Sequence, residues 1–258
     1  MLKLLLWFVF LCIFPVALST QQNPVAVLIY FENYSTNFDI VTPLGTKSPE
    51  SIGIGGTIPV GSTLVTGEGD FAEVELFPSG SVIKVSENTN FEISELQGVS
   101  GATSSEFKSP IGKFLAVIAK TTGSDTYNFS GQTAVMGVRG TRIVLSNNVG
   151  NELHAVLDGE AELTRGGQTV VIPAGYSVSL SSEQTSMNLP DPVVIPESLR
   201  DELLTGMEFE KLDPAKVRGG LDAPISNNEQ TENAAEADST FDDEALGEEL
   251  QAEDLETH

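Results

Sequence analysis

Short runs of β-branched, aromatic and aliphatic residues alternate with turn sequences between about residue 25 and residue 180. The turn sequences are PSG, SENT, DGE, RGG and PAG, which supply the positive φ angles and fixed proline geometry of tight turns. We predict that each run between them is a β-strand. The runs are VAVLIYF (25–31), FAEVELF (71–77), SVIKV (81–85), NFEISEL (90–96), KFLAVIAK (113–120), ELHAVLD (152–158), EAELTR (160–165) and QTVVIP (168–173).

Alternation within two of these runs predicts a sheet with one solvated face. Glu73 and Glu75 alternate with apolar residues in the run 71–77, and Glu160 and Glu162 do so in the run 160–165. No apolar period of 3.6 residues lasts two turns here, which argues against parallel βαβ units. We therefore predict an all-β, mostly antiparallel fold, either a twisted β-sandwich or a solenoid-like stack of short strands.

The pattern changes after the last predicted strand. We assign residues 24–190 to the β-domain and 191–218 to a linker with a short helix. Within the linker, Ser198-Leu-Arg-Asp201 has the form of a capping box and predicts a helix that reaches about Leu204. We expect Leu199 and Leu203 to pack on the sheet.

Residues 219–258 form an acidic tail with thirteen Asp or Glu residues and no Lys or Arg. Its few apolar residues are widely spaced, so it cannot bury enough apolar area to offset the entropy of ordering. We predict that the tail is disordered and dispensable for folding.

The N-terminal residues have the layout of a secretory signal peptide. Lys3 precedes fifteen apolar residues, from Leu4 to Leu18, with small residues near a plausible cleavage site. A run of this length falls short of the roughly 20 residues that span a membrane. We assign residues 1–19 to a cleaved signal peptide and expect a periplasmic protein, or an inner-membrane-anchored one if the segment is retained.

Charge and cysteine usage narrow the possible partners. The net charge of −24 repels phosphate backbones, which argues against binding nucleic acid or anionic lipid. Cleavage after residue 19 also removes the single cysteine and the single tryptophan. The mature chain would then depend on packing without disulfides.

Residues suited to catalysis are few. The chain has two histidines, His154 and the C-terminal His258, and no His-x-His or His-Glu-x-x-His spacing. His154 lies within a predicted strand, where a single histidine is typical of a packed or surface residue. We predict no catalytic residue, no metal site and no cofactor, and hence no enzyme.

The segment TAVMGVRGTRI (133–143) combines strand character with two glycines and two arginines. If Gly140 and Thr141 together oppose one partner residue, the resulting bulge shifts the alternation by one position. The inward face then carries Met136, Val138, Ile143 and Leu145, while Arg139 and Arg142 point outward. The arginines either pair with local carboxylates, such as those of DGE (158–160), or bind a partner.

Three segments in this order resemble the FecR domain family: GSTLVTGEGDFAEVELFPSGSVIKVSENTNFEI (61–93), VMGVRGTRIVLS (135–146) and HAVLDGEAELTRGGQTVVIPAGYSV (154–178). The structural motif is Val138-Arg139-Gly140-Thr141. The sequence departs from the family pattern at Pro78-Ser79-Gly80, where the family usually has Asp-Gly, and in an insertion from Gly98 to Ser109. The resemblance implies an exported, non-enzymatic β-domain of the kind found in sigma-factor regulators.

Three functions are compatible with these observations. The first is a periplasmic interaction or regulatory module that binds a protein or peptide in envelope signalling, by adding a strand to an exposed sheet edge. The second is a structural component of a cell-envelope assembly. The third is a polysaccharide-binding domain, against which the low aromatic content of 7% counts.

Overall fold

The computed structural model describes residues 23–120, 125–181 and 188–210. These residues belong to one compact unit. The predicted signal peptide (1–19), the end of the linker (211–218) and the acidic tail (219–258) lie outside the described residues.

One long strand, Ser105–Val117 (β9), divides the chain into two series of strands. The strands before it are Val25–Glu32 (β1), Asp39–Thr42 (β2), Gly45–Lys47 (β3), Thr57–Ile58 (β4), Ser62–Val65 (β5), Phe71–Phe77 (β6), Ser81–Val85 (β7) and Asn90–Glu95 (β8). The strands after it are Tyr127–Ser130 (β10), Val135–Val138 (β11), Arg142–Asn148 (β12), Asn151–Asp158 (β13), Glu160–Arg165 (β14), Gln168–Pro173 (β15), Tyr176–Ser181 (β16) and Val193–Val194 (β17). Two helices are present in the described residues, Pro49–Ile52 (α1) and Glu197–Leu204 (α2).

The two halves of β9 belong to different layers. The second half pairs with β7 and β12 in sheet 1, whose strand order is β4-β1-β6-β7-β9-β12-β13-β16-β17. The first half pairs with β8 and β10 in sheet 2, whose order is β3-β2-β5-β8-β9-β10-β11-β14-β15. Only the β9–β10 pairing is parallel among the described strands. The predicted all-β, mostly antiparallel fold with a short C-terminal helix is confirmed.

The inner faces of the two sheets share one hydrophobic core. At its centre lie four fully buried phenylalanines, two from β9 and one each from β8 and β10: Phe107, Phe114, Phe91 and Phe129. Their ring centroids are 4.9–5.7 Å apart, which is the range of favourable aromatic pairs. Because both halves of β9 contribute a ring, this cluster joins the two layers.

The outer faces of the two sheets differ. On sheet 2, Glu160 and Glu162 are exposed while Ala161 and Leu163 are buried, as the alternation predicts. On sheet 1 the prediction is wrong for Glu73, which is buried beneath the C-terminal segment, whereas Glu75 is half-buried.

Helix α2 and the residues after it cover part of this outer face. Leu203 is buried and Leu199 is partly buried in a second apolar cluster on sheet 1, which confirms that both pack on the sheet. The predicted capping box is wrong, however. The N-cap is Pro196, which makes no side-chain cap hydrogen bond, and Ser198 lies inside the first turn. The fixed φ of −62° at Pro196 sets the start of the helix two residues early.

Candidate functional site

The VRGT motif is the point where the chain crosses from sheet 2 to sheet 1. Val138 ends β11 in sheet 2 and Arg142 begins β12 in sheet 1. Between them Gly140 has a φ of +61°, and a Cβ atom there would lie 2.8 Å from Lys120 Cβ. Gly140 is therefore suited both to the left-handed backbone and to the close approach of Lys120.

The bulge lies elsewhere than predicted. The register of β12 with β13 shifts between Arg142 and Ile143, whose partners are Asp158 and Val156. Leu157 is thus the extra residue, on β13 rather than at Gly140 and Thr141. The four predicted inward residues are nevertheless all buried: Met136, Val138, Ile143 and Leu145. The left-handed turn at Gly140, and not a bulge, is what lets the alternate residues of β11 and those of β12 both face the core.

Thr141 ties this corner to its neighbours. Its Oγ1 donates a hydrogen bond to the carbonyl oxygen of Glu160 or Arg139, at 2.9 Å and 3.1 Å respectively. Its carbonyl oxygen accepts a hydrogen bond from Ile118 N at 2.9 Å. Gly159 packs so closely that a Cβ atom there would be 2.9 Å from Gly140 O. The motif thus joins β9, β11, β12 and the β13–β14 turn.

Arg139 and Arg142 differ in environment. Arg139 is exposed, whereas Arg142 is half-buried. The strand register places Asp158 opposite Arg142, and opposite charges at facing positions stabilise a strand pair. This arrangement favours local pairing for Arg142. Partner binding by the two arginines stays a prediction.

The other motifs of the resemblance also build a structural network. Thr66 Oγ1 lies 2.6 Å from the carbonyl oxygen of Ser86 and accepts a hydrogen bond from Thr89 N at 3.0 Å. Thr89 Oγ1 in turn accepts a hydrogen bond from Lys113 N at 3.0 Å. Thr66 and Thr89 thus connect the ends of β5 and β7 to β9 at the point where β9 passes from sheet 2 to sheet 1.

Asp70 anchors the loop between β1 and β2. Its carboxylate accepts hydrogen bonds from the backbone N–H groups of Tyr34, Ser35 and Gly67, each at 2.8 Å, and from Ser35 Oγ at 2.5 Å. Burial by itself would raise the pKa of Asp70, but these hydrogen bonds hold it below its ordinary value. Asp70 is not among the residues predicted from the sequence, although it follows a Thr-Gly-Glu-Gly turn signal directly.

His154 is fully buried and bonded to a carboxylate. Its Nε2 is 2.7 Å from Glu152 Oε1, and Glu152 Oε2 accepts hydrogen bonds from Thr133 N and Oγ1 at 2.8 Å each. Burial would raise the pKa of Glu152, while the hydrogen bonds and charge of His154 and the bonds from Thr133 lower it overall. The pair lies in the core, away from solvent, which fits a packed histidine.

The described residues contain neither a metal-binding cluster nor a helix that could span a membrane. Residues 23–120, 125–181 and 188–210 hold no group of three or more His, Cys, Asp or Glu side chains placed to bind a metal ion. Within the same ranges, neither helix is long and apolar enough to span a membrane.

Strand β15 forms a sheet edge. Among the described strands it pairs only with β14, and the two are joined by the two-residue turn Gly166-Gly167, with φ angles of +57° and +81°. In such a hairpin the closing pair, Arg165 and Gln168, is hydrogen-bonded, and hydrogen-bonded pairs alternate along the ladder. The N–H and C=O groups of Thr169 and Val171 therefore point away from β14.

Comparison with known proteins gives only a distant structural overlap. No protein-family model matches the chain, and no curated protein matches it. Two crystal structures, at 1.65 Å and 2.50 Å, of a protein from Parabacteroides distasonis described as a "putative anti-sigma factor" overlap with it at 11% sequence identity and a TM-score of 0.43. The overlap covers 50% of this chain and 59% of the other. At this level of identity the comparison concerns the course of the backbone and leaves the function to the geometry of the chain itself.

Proposed function

We propose that this protein is an exported, non-enzymatic module of the FecR type that binds a protein or peptide partner in envelope signalling. The observation that carries the proposal is the edge of β15, where an extended segment of a partner can add as a further strand of sheet 2. The periplasmic location rests on the predicted signal peptide. Retention of that segment would place the same domain at the inner membrane.

The length and exposure of the edge support strand addition. β15 has six residues and Val171 is 45% exposed. The outward main-chain groups of Thr169 and Val171 would give a partner strand two donors and two acceptors, while Pro173 ends the edge because it has no N–H. Strand addition takes its affinity from main-chain hydrogen bonds and its selectivity from the alternate side chains.

The chemistry around the edge specifies the partner further. Glu160 and Glu162 are exposed on the solvated face of the adjacent strand. Val171 lies opposite Glu162 in the register and points to the same face. A partner strand with Lys or Arg on that face and apolar residues on the other would satisfy both the charge and the core.

A proline substitution tests the proposal. Val171→Pro removes one outward N–H, and proline is tolerated in an edge strand at such a position. The matched control, Val171→Thr, keeps the N–H and the β-branched shape. We expect cross-linking in cells followed by purification to recover one defined envelope protein with the native chain and with Val171→Thr, and at least tenfold less of it with Val171→Pro.

The same experiment separates the alternatives. Recovery of stoichiometric copies of this chain or of a fixed assembly would favour a structural component. Equal recovery by Val171→Pro and Val171→Thr, with both variants folded by circular dichroism, would refute partner binding at this edge.

A further inference from the structure

A pocket of about 550 Å³ opens at the end of the β-domain where β6 turns into β7. The turn between these strands, the loop between β8 and β9 and the residues before β1 form its walls, and the first residue of β10 also lines it. Its volume lies within the range of small-molecule sites, about 300–1,000 Å³. None of its described lining residues belongs to β15, so the pocket is separate from the edge where we propose strand addition.

Tyr127 lines this pocket with a hydroxyl group that its described neighbours leave without a hydrogen bond. The residue is 5% exposed, and within residues 23–120, 125–181 and 188–210 its Oη has no hydrogen-bond partner. Buried tyrosine hydroxyl groups usually have one. Because Tyr127 lines the pocket, a bound ligand can supply the partner that the described residues do not.

Ser105 and Gln97 bring further polar groups to the same pocket. Ser105 is buried and lies opposite Tyr127 in the parallel pairing of β9 with β10. Its Oγ accepts a hydrogen bond from Gln97 N at 3.0 Å, and a hydroxyl group that accepts can still donate. Gln97 Oε1 accepts a hydrogen bond from Thr126 N at 3.1 Å, which orients the side-chain amide and its N–H₂ donors. The pocket is therefore suited to a ligand with several oxygen atoms.

Apolar side chains form the rest of the lining. Leu76 and Leu96 are buried there, whereas Phe77 is 46% exposed. A phenylalanine ring that is half open to solvent offers a ligand an apolar surface. The pocket thus combines an exposed aromatic ring with hydrogen-bonding groups.

The charges around the pocket favour an uncharged ligand. Asp125 is the one carboxylate among the described lining residues, and these include no Lys, Arg or His. An anionic ligand would find no counter-charge there, and burying a charge without a partner is costly. Asp125 is half-buried, and its carboxylate can accept hydrogen bonds from hydroxyl groups.

Hydrogen bonds within the protein hold the walls, so the pocket is formed before a ligand binds. In the turn between β6 and β7, Gly80 N and Ser79 Oγ each donate a hydrogen bond to the carbonyl oxygen of Leu76 at 2.9 Å. In the loop between β8 and β9, Gly98 N donates to the carbonyl oxygen of Ala102 at 2.9 Å. A preformed site loses less conformational entropy when its ligand binds.

We propose that this pocket binds an uncharged sugar, with the C–H face of a pyranose ring against Phe77 and its hydroxyl groups bonded to Tyr127, Ser105 and Gln97. A pyranose has an apolar face and several hydroxyl groups that donate and accept, which matches the lining of the pocket. A free monosaccharide and one unit of a glycan chain present this same chemistry. The site does not depend on β15, so either proposal can fail without the other.

Nuclear magnetic resonance titration of the isotope-labelled full chain tests the site. The probes are the methyl glycosides of glucose, galactose, mannose and N-acetylglucosamine. We expect at least one of them to shift the backbone amide signals of Gly98 and Tyr127 and to leave those of β15 unchanged. Phe77→Ala and Tyr127→Phe should each weaken its binding at least fivefold. The matched controls Leu44→Ala and Tyr34→Phe, at exposed positions outside the described lining, should leave the affinity unchanged.

An oligosaccharide of the same sugar distinguishes the two sources of the ligand. A higher affinity than that of the methyl glycoside would assign the pocket to a glycan chain, and an unchanged affinity would assign it to a free sugar. No shift from any of the four glycosides at the highest soluble concentration would overturn the proposal. Binding that Phe77→Ala and Tyr127→Phe leave unchanged, with both variants folded by circular dichroism, would also overturn it, as would tighter binding of glucuronate than of glucose.

Discussion

Replacing Gly140 with valine tests the role of the VRGT corner most sharply. Gly140 has a φ of +61°, and an added Cβ atom would lie 2.8 Å from Lys120 Cβ and 3.3 Å from Lys120 Cα. A side chain in the left-handed region costs about 1–2 kcal/mol. Overpacking against atoms close to the main chain adds about 1–3 kcal/mol. We expect Gly140→Val to lower the free energy of unfolding by about 3 kcal/mol.

Gly80→Val is the matched control. Gly80 has a similar φ of +69°, but among the described residues beyond its chain neighbours no atom lies within 4 Å of a Cβ atom added there. It should therefore show the conformational cost alone, about 1–2 kcal/mol. For a domain of this size each kcal/mol corresponds to roughly 2–4 °C in the thermal midpoint.

Urea unfolding followed by circular dichroism gives both values. The midpoint should fall further for Gly140→Val than for Gly80→Val, with similar slopes, because both variants unfold the same surface. Equal losses would show that contact with Lys120 contributes nothing. No loss at Gly140 would refute the account of the corner altogether.

Three further predictions concern other parts of the chain. Asp70→Asn places an amide N–H₂ against donors at Gly67 or Ser35 and should cost about 1–3 kcal/mol in urea unfolding. The pKa of Asp70 is lowered in the folded state, so the native chain should exceed Asp70→Asn in free energy of unfolding by the full amount above about pH 4. This difference should disappear as the pH falls through the pKa of Asp70 in the folded state. A difference in free energy of unfolding that stays constant down to pH 2 would contradict this prediction. Glu152→Ala removes the acceptor of Thr133 and His154 and should cost about 3 kcal/mol, non-additively with His154→Leu in a double-mutant cycle; additive losses would argue against a coupled pair. Protein isolated from cells should show tyrosine-like emission, since Trp7 lies in the predicted signal peptide; tryptophan emission would mean that the segment is retained.

Local patterns in the sequence predicted much of the β-domain. Strands β1, β6, β7, β8, β13, β14 and β15 and the second half of β9 coincide with the predicted runs. The inward set around VRGT was also predicted, although it was derived from a bulge at Gly140 and Thr141 that the structure places elsewhere. The first half of β9 was missed because it lies in the segment interpreted as an insertion, where Ser105 and Ser109 occupy buried positions. Small polar residues at inward positions give no hydrophobic signal.

Long-range contacts account for the other differences. Glu73 has the alternation of a solvated residue, but it is buried beneath the segment after α2, whose Glu210 N, more than a hundred residues later, donates a hydrogen bond to it. The bulge at Leu157 depends on how β13 meets β12, which the VRGT segment alone does not encode. Likewise, β15 is an edge because, among the described strands, it pairs with β14 alone. The order of the strands in the sheet determines this, and the segment QTVVIP by itself does not encode it.

Photo-cross-linking in cells is the most direct test of whether a partner strand adds to the β15 edge. A photoreactive amino acid at Val171 should give one discrete adduct with a second envelope protein. The same residue at Val193, an exposed valine in β17 of sheet 1, should not give that adduct. No adduct from position 171, or the same adduct from both positions, would contradict the account.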